Sequence, residues 1–261
     1  MAAGLKTAVE IAAVVSLRAL LYDASSLKGE NCPMQDLSIE LKRHAEAAGY
    51  ALLRRLAPAI RHQMAGNFQP VTMLAAVLEK RLQAVTVDLP GLVKTSGDVR
   101  AMATAASRSS LDLLGWLEFD SAARVPLNRG IEDAMHLVAT ELSFRGFKYV
   151  SQADGVATEV ALNHMRTVFV TALLALTDEA KAPANLLLTA QCEANGVAVS
   201  LALLPFDSAA GIQPQAEVFR PGAAAYRKID WQDVQAVSAV YGVPVERSPT
   251  AVILHIPNAA R

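Results

Sequence analysis

The chain has 261 residues, of which 52% are hydrophobic and 19% are charged, and its formal net charge is -1. A chain of this length and hydrophobicity can bury a substantial core, and we expect it to form two domains. The near-neutral charge gives no basic field for nucleic acid, and the aromatic content of 5% argues against platforms on which bases stack. We therefore expect no nucleic-acid partner.

The cysteine content and the apolar segments indicate where in the cell the protein is located. Cys32 and Cys192 are the two cysteines, too few for a disulfide framework, and neither has the spacing of metal ligands. The apolar stretch at residues 8–21 contains Glu10 and Arg18 and is too short between these charges to cross a membrane, so it predicts a helix packed on the body. The opening also lacks the pattern of a secretory signal. These features predict a cytoplasmic protein with no membrane association and no metal site.

Residues 56–82 predict one long helix. Projected at about 100° per residue, apolar side chains form one stripe along it, and His62 lies opposite that stripe. A lone histidine on a helix is usually a surface residue without a task. Here, however, the residues around it are small, so the imidazole is accessible to another protein. Pro70 predicts a bend, because it removes the hydrogen bond to the carbonyl of Gly66. The stripe comprises Leu53, Leu56, Ile60, Met64, Phe68, Val71, Leu74, Leu78 and Leu82.

A second helix is predicted after a connector at residues 88–97 that is rich in helix breakers. Its apolar face includes Val99, Met102, Ala106 and Leu113. Two helices joined in this way form an antiparallel hairpin, which alone cannot bury both apolar seams. Pairing with a second copy into a four-helix bundle would bury them, so we expect a homodimer. The alternative is that these helices pack on their own C-terminal domain.

From about residue 121 the pattern changes to short strands and helices. A hairpin turn is predicted at Asn195-Gly196, because both residue types tolerate positive φ, and Gly242 is predicted to end a helix. The fold class is therefore α+β, a helical hairpin followed by an α/β sandwich. The predicted elements are a strand at 125–127, a helix over 131–142, a strand from 148, a helix over 158–179, strands at 186–191 and 197–203, a helix over 231–241, and strands at 243–246 and 251–256.

The run His62-Gln63-Met64-Ala65-Gly66-Asn67-Phe68-Gln69-Pro70 resembles the phosphoacceptor helix of two-component sensor histidine kinases. In that family the histidine is followed by an acid, then Arg or Asn, and a proline shortly after. Gln63 replaces the acid here, and the amide and the proline are displaced. The elements after residue 121 resemble the ATP-binding sandwich of the same family.

The resemblance implies a division of the chain and a set of site residues. Residues 1–35 would be an N-terminal helix, 36–120 the dimerisation and histidine phosphotransfer hairpin, and 121–261 a histidine-kinase-like ATPase sandwich. His62 would be the phosphoacceptor, and its partner would be the receiver domain of a response regulator. The residues that would support His62 or contact that partner are Arg61, Gln63, Gly66, Asn67 and Gln69.

The positions that hold ATP in the family mostly depart from its pattern. The family's Asn-Leu-x-x-Asn-Ala motif aligns with residues 171–176, where Thr171 and Ala175 replace the asparagines. Neither supplies the amide oxygen that Mg²⁺ requires. The family's Asp-x-Gly-x-Gly loop aligns with residues 207–211, which keep Asp207 and Gly211, and the second glycine box is missing. Binding of Mg-ATP is therefore not favoured, and the nucleotide site is expected to be degenerate.

These features predict a two-component signalling protein in which His62 exchanges a phosphoryl group with a receiver aspartate. A neutral imidazole is nucleophilic enough to form a phosphoramidate. Two alternatives stay open. One is a non-catalytic dimeric pseudokinase or scaffold that binds signalling partners, and the other is a divergent ATP-dependent histidine autokinase.

Overall fold

The computed structural model describes residues 33–86, 88–117, 123–153, 155–180, 184–205 and 227–258. Residues 40–261 group as one compact unit. The helix predicted at residues 8–21, together with Asp207 and Gly211, lies outside the described residues. Among the described helices, none is both long enough and apolar enough to cross a membrane.

Two long helices open the described chain. Helix α1 (Pro33–Leu82) continues through Pro58 and Pro70, and a short connection leads to α2 (Leu89–Leu114), which ends in a 3-10 turn (Gly115–Leu117). The predicted connector at residues 88–97 is wrong, because all but its first residue is helical. Asp88 caps α2, its side chain accepting the N–H of Gly91 at 3.2 Å, and Pro90 lies in the first turn. Both residue types favour a helix start as much as they interrupt a helix.

A mixed sheet with its covering helices follows, as the sequence predicts for an α+β chain. The elements are β1 (Arg124–Pro126), α3 (Leu127–Phe144), β2 (Lys148–Gln152), β3 (Glu159–Ala161), a π-helical segment (His164–Phe169) that continues as α4 (Val170–Glu179), β4 (Asn185–Glu193), β5 (Gly196–Leu204), α5 (Trp231–Tyr241), β6 (Val245–Arg247) and β7 (Ala251–Pro257). The five-stranded sheet has the order β2-β4-β5-β7-β6, in which β2 runs parallel to β4 and the other neighbours are antiparallel.

The helix predicted over residues 158–179 begins too early. Residues Glu159–Ala161 are strand β3, which pairs antiparallel with β1 and places Val160 opposite Val125. Both valines are buried. In the sequence, residues 159–161 cannot be told apart from the helix that follows, because the apolar residues after them have helical spacing. Their strand conformation depends on pairing with β1, more than 30 residues away.

The turn between β4 and β5 also differs from the prediction. Glu193 pairs with Gly196, so the two turn residues are Ala194 and Asn195, and Gly196 is the first residue of β5. Its φ is not among the positive values, which among the described glycines belong to Gly146 and Gly242. A side chain at position 196 would lie against the carbonyl of Ile256 in β7. Glycine is therefore required here by the close approach of a neighbouring strand.

The first half of α1 packs on the α/β part of the same chain. Ala45, Ala48, Leu52, Leu56 and Ile60 are buried in one core with residues of the sheet and its helices. This is the arrangement that the sequence left as the alternative to dimerisation, and it holds for α1 up to Ile60. Beyond Ile60, the apolar side chains of α1 are more exposed to solvent. The exposed large apolar side chains on the two long helices include Phe68, Met73, Val77, Leu82, Val93 and Met102.

A cluster of ion pairs fixes α1 against α3 and α4. The Arg55 guanidinium donates to Glu141 at 2.5 Å and to Asp178 at 3.1 Å, and Arg145 lies 2.9 Å from the same Asp178 carboxylate. The Arg55 and Asp178 side chains are only 13% and 5% exposed. Burial alone would lower the pKa of Arg55, but the two carboxylates outweigh it and raise that pKa above its ordinary value.

A second polar contact joins α1 to the start of α5. Asp233 is completely buried, accepts two hydrogen bonds from Arg227 at 2.9 and 2.8 Å, and lies 3.2 Å from Nε2 of His44 in α1. It also forms a capping box with Asp230, which satisfies backbone N–H groups at the first turn of α5. The hydrogen bond to Asp233 raises the pKa of Arg227. The two polar clusters together determine how α1 lies on the sandwich.

Candidate functional site

A cleft of about 830 Å³ lies between α1, the end of α2 and the start of α3, and His62 lines it. The His62 side chain is exposed, as its position opposite the apolar stripe predicts. Two kinds of charge border the cleft with it, the carboxylates of Asp112, Glu132 and Asp133 and the guanidinium groups of Arg129 and Arg166. A second histidine, His136 of α3, lines the same cleft.

The residues predicted around His62 divide into two groups. Gln63, Gly66 and Asn67 line the cleft with it. Arg61 and Gln69 are exposed on α1 but are not among the lining residues. Nothing lies within 4 Å of a side chain placed at Gly66, so this glycine leaves open space one turn from His62. The roles assigned to all of these residues stay predictions.

The two amides of this group are bound within the chain. Gln63 Nε2 lies 2.9 Å from Nδ1 of His136 and donates to the carbonyl oxygen of His136 at 3.0 Å. Asn67 Nδ2 donates to the Ser109 hydroxyl of α2 at 2.9 Å. The turn of α1 that carries His62 is thus attached to α3 on one side and to α2 on the other.

Both guanidinium groups at the cleft have partners within the chain. Arg129 lies 3.6 Å from Glu132 and 3.1 Å from Asp133, both within α3. Arg166 donates to the carbonyl of Gly115 and its guanidinium lies 5.4 Å from the ring centre of Trp116. Within the described ranges, no three His, Cys, Asp or Glu side chains are grouped so that they could hold a metal ion.

Sequence reasoning missed the contribution of α3 to this cleft. Asp133 and His136 lie within the helix that the sequence predicts over residues 131–142, and they lack the spacing of a metal site. Residues three apart lie on the same face of a helix, and that spacing was the available signal. Nothing local to α3 indicated that this face would meet α1, since Gln63 and His136 are 73 residues apart.

The positions aligned with the nucleotide site lie in a packed interior. Thr171 is 0% exposed and Ala175 is 2% exposed on α4, which packs against α5. The Thr171 hydroxyl is buried without a hydrogen-bond partner among the described residues, and Ala175 has no ligand atom. These two residues do not fit a Mg²⁺ ion that bridges phosphates.

The π-helical segment at the start of α4 holds a half-buried histidine, His164. Burial lowers the pKa of His164, whose ring meets that of Tyr241 edge-on with centres 6.3 Å apart. Burial also raises the pKa of the Tyr241 hydroxyl. Both groups are therefore held in their neutral forms near neutral pH.

The chain is similar to catalytic domains of histidine kinases. The catalytic domain of histidine kinase ThkA matches with a TM-score of 0.37 and 12% identity over 52% of this chain and 95% of that one. The ATP-binding domain of PrrB from Mycobacterium tuberculosis matches with a TM-score of 0.37 and 16% identity over 54% of this chain and 100% of that one.

Histidine kinase ThkA in complex with the response regulator protein TrrA matches with a TM-score of 0.35 and 13% identity over 85% of this chain and 66% of that one. No family profile matches the sequence, and no curated protein matches it either.

Proposed function

We propose that this protein is a histidine phosphotransferase of two-component signalling, in which His62 exchanges a phosphoryl group with the aspartate of a receiver domain. The observation that carries the proposal is the exposed imidazole of His62 at the cleft, on a turn of α1 that Gln63 and Asn67 attach to both neighbouring helices. A partner can reach this side chain, and the scaffold beneath it is held in place. The domain limits at 35/36 and 120/121 and the cytoplasmic location belong to the same proposal.

The proposed reaction needs little from this chain besides a nucleophile. The unprotonated ring nitrogen of His62 attacks the phosphorus of the aspartyl phosphate, a P–N bond forms, and the P–O bond to the carboxylate breaks. The carboxylate leaves with the electron pair, and the proton on the other ring nitrogen stays there. The receiver would bring its own carboxylates and Mg²⁺, so the chain would not have to hold a metal ion.

The test is phosphotransfer from receiver domains labelled with radioactive acetyl phosphate. We expect the unaltered protein to take up label that is lost in acid and kept in alkali, as a phosphoramidate requires, and mass spectrometry to place it at His62. His62→Ala should abolish labelling and change the free energy of unfolding by less than about 0.5 kcal/mol, because its side chain is exposed. Equal labelling of both proteins, or no labelling by any receiver of the source organism, would leave the scaffold alternative.

We predict that Mg-ATP does not bind with micromolar affinity. The reason is the closed surroundings of Thr171 and the absence of a ligand atom at Ala175, which together remove the metal ion that neutralises the phosphates. Isothermal titration calorimetry of the full chain should show no heat beyond dilution. A dissociation constant near 1 μM would instead favour the divergent autokinase.

We also predict a homodimer through the outer half of the helical hairpin. Phe68 and Leu82 belong to the predicted apolar stripe and are 44% and 57% exposed in the single chain. Glutamate at both positions should give monomers, since a charge in an apolar interface is costly while one on an open surface is not. The matched control is Val150→Glu, an exposed valine on the edge strand β2. Light scattering decides the question, and a monomeric unaltered protein at micromolar concentration would contradict the prediction.

A further inference from the structure

The hydrogen bonds between Gln63 and His136 fix the orientation of both side chains. A carbonyl oxygen can only accept, so the Gln63 atom 3.0 Å from the His136 carbonyl is the amide nitrogen rather than the amide oxygen. The same nitrogen lies 2.9 Å from Nδ1 of His136, so Nδ1 accepts its second hydrogen. The ring proton of His136 is therefore on Nε2.

Pro58 and Pro70 lie on either side of the turn that carries His62, within the continuous helix α1. A proline has no N–H group, so the helix lacks one backbone hydrogen bond at each of these positions. Between them, the side chains of Gln63 and Asn67 add bonds to the neighbouring helices.

Residues 63 and 67 are four positions apart and therefore lie on one face of α1. Gln63 is bound to α3 and Asn67 to α2. His62 and Gly66 have the same spacing one position earlier, and both line the cleft. The two amides therefore attach to the neighbouring helices the turn of α1 whose His62 side chain lines the cleft.

We propose that His136 is a positioning residue for phosphoryl transfer at His62, which it orients by accepting the amide hydrogen of Gln63. The inference rests on the function proposed above. In the resembling family an acid follows the phosphoacceptor, whereas Gln63 is neither acid nor base. In this chain Gln63 instead attaches α1 to α3, and His136 of α3 supplies the hydrogen-bond acceptor.

The experiment compares His136→Ala with His136→Asn in the full chain. Alanine removes the side-chain acceptor and leaves the backbone carbonyl of residue 136, so Gln63 keeps one of its two bonds. We expect the transfer rate at saturating receiver to fall by about 10-fold, since small misplacements of a reacting group have effects of this size. Asparagine keeps an acceptor close to the position of Nδ1, so its rate should stay within a few-fold of the unaltered protein. The concentration of receiver at half-maximal rate should change little in either variant. Thr140→Ala, at an exposed position one turn further on α3, is the matched control.

A second set of variants tests the route through Gln63. Gln63→Leu removes the bond to Nδ1 and the bond to the backbone carbonyl of residue 136, so it should lower the rate at least as much as His136→Ala does. The double variant should lower it no further than Gln63→Leu alone, because the bond that His136→Ala removes is already absent in that variant. Additive losses would overturn the proposal. So would a normal rate in His136→Ala, equal losses in the alanine and asparagine variants, or a change confined to the half-saturating concentration. Absence of transfer by the unaltered protein would overturn the proposed function together with this inference.

Discussion

Replacing Arg55 by alanine is expected to lower the free energy of unfolding by about 3–5 kcal/mol, the usual cost of removing one partner from a buried ion pair. Arg55 joins α1 to Glu141 of α3 and Asp178 of α4. Its removal leaves the buried carboxylate of Asp178 with Arg145 as its remaining cation in this cluster. Urea unfolding followed by circular dichroism measures the change.

The control for this prediction is Arg129→Ala. Arg129 also forms two ion pairs with carboxylates, but its side chain is 64% exposed. Exposed pairs contribute at most about 1 kcal/mol, so this variant should unfold almost as the unaltered protein does. Similar losses in the two variants would show that burial of the Arg55 cluster is not what stabilises the packing of α1.

The sequence predicted the elements whose signals are local. Helix α5 and its end at Gly242 are confirmed, since that glycine adopts a φ of 66° in the left-handed region that glycine accepts without strain. The paired strands β6 and β7 are confirmed as well. Strand β3 was missed, because a three-residue strand carries almost no signal of its own and is defined by its partner β1.

The position of α1 shows a second limit of sequence reasoning. A stripe of apolar residues establishes that one face of a helix is buried, but it does not say against what. Up to Ile60 that face is covered by the sandwich of the same chain, where the sequence favoured a second copy. The buried cluster around Arg55 contributes to that choice, and its members are distributed over three helices.

The sequence predicted only part of the candidate site, because it does not show which helices pack against one another. The exposure of His62 follows from its angular position on one helix, and the structure confirms that exposure. No sequence pattern links His136 to His62, because the two lie near each other only when α3 packs beside α1. The two bonds between Gln63 and His136 connect segments that are distant in the chain. Local patterns thus locate the proposed nucleophile, whereas tertiary packing determines which side chains surround it.

Gly196→Ala is expected to destabilise the sheet, by about 1–3 kcal/mol if the cost is that of an ordinary overpacked core and by more if β5 and β7 separate. The added methyl group would meet the backbone carbonyl of Ile256 and the adjoining Pro257. Backbone atoms in a hydrogen-bonded ladder cannot move aside as a flexible side chain can, so the end of the pairing between the two strands would have to open.

Gly97→Ala is expected to have the opposite effect on stability from Gly196→Ala. Gly97 lies inside α2, and nothing lies within 4 Å of a methyl group placed there. Alanine should therefore stabilise the protein by roughly 0.5–1 kcal/mol, because it restricts the unfolded chain and suits a helix better than glycine does. Thermal unfolding of the two variants should shift in opposite directions. A downward shift for Gly97→Ala would contradict the placement of residues 89–97 in α2, and an unchanged transition for Gly196→Ala would contradict the close contact between β5 and β7.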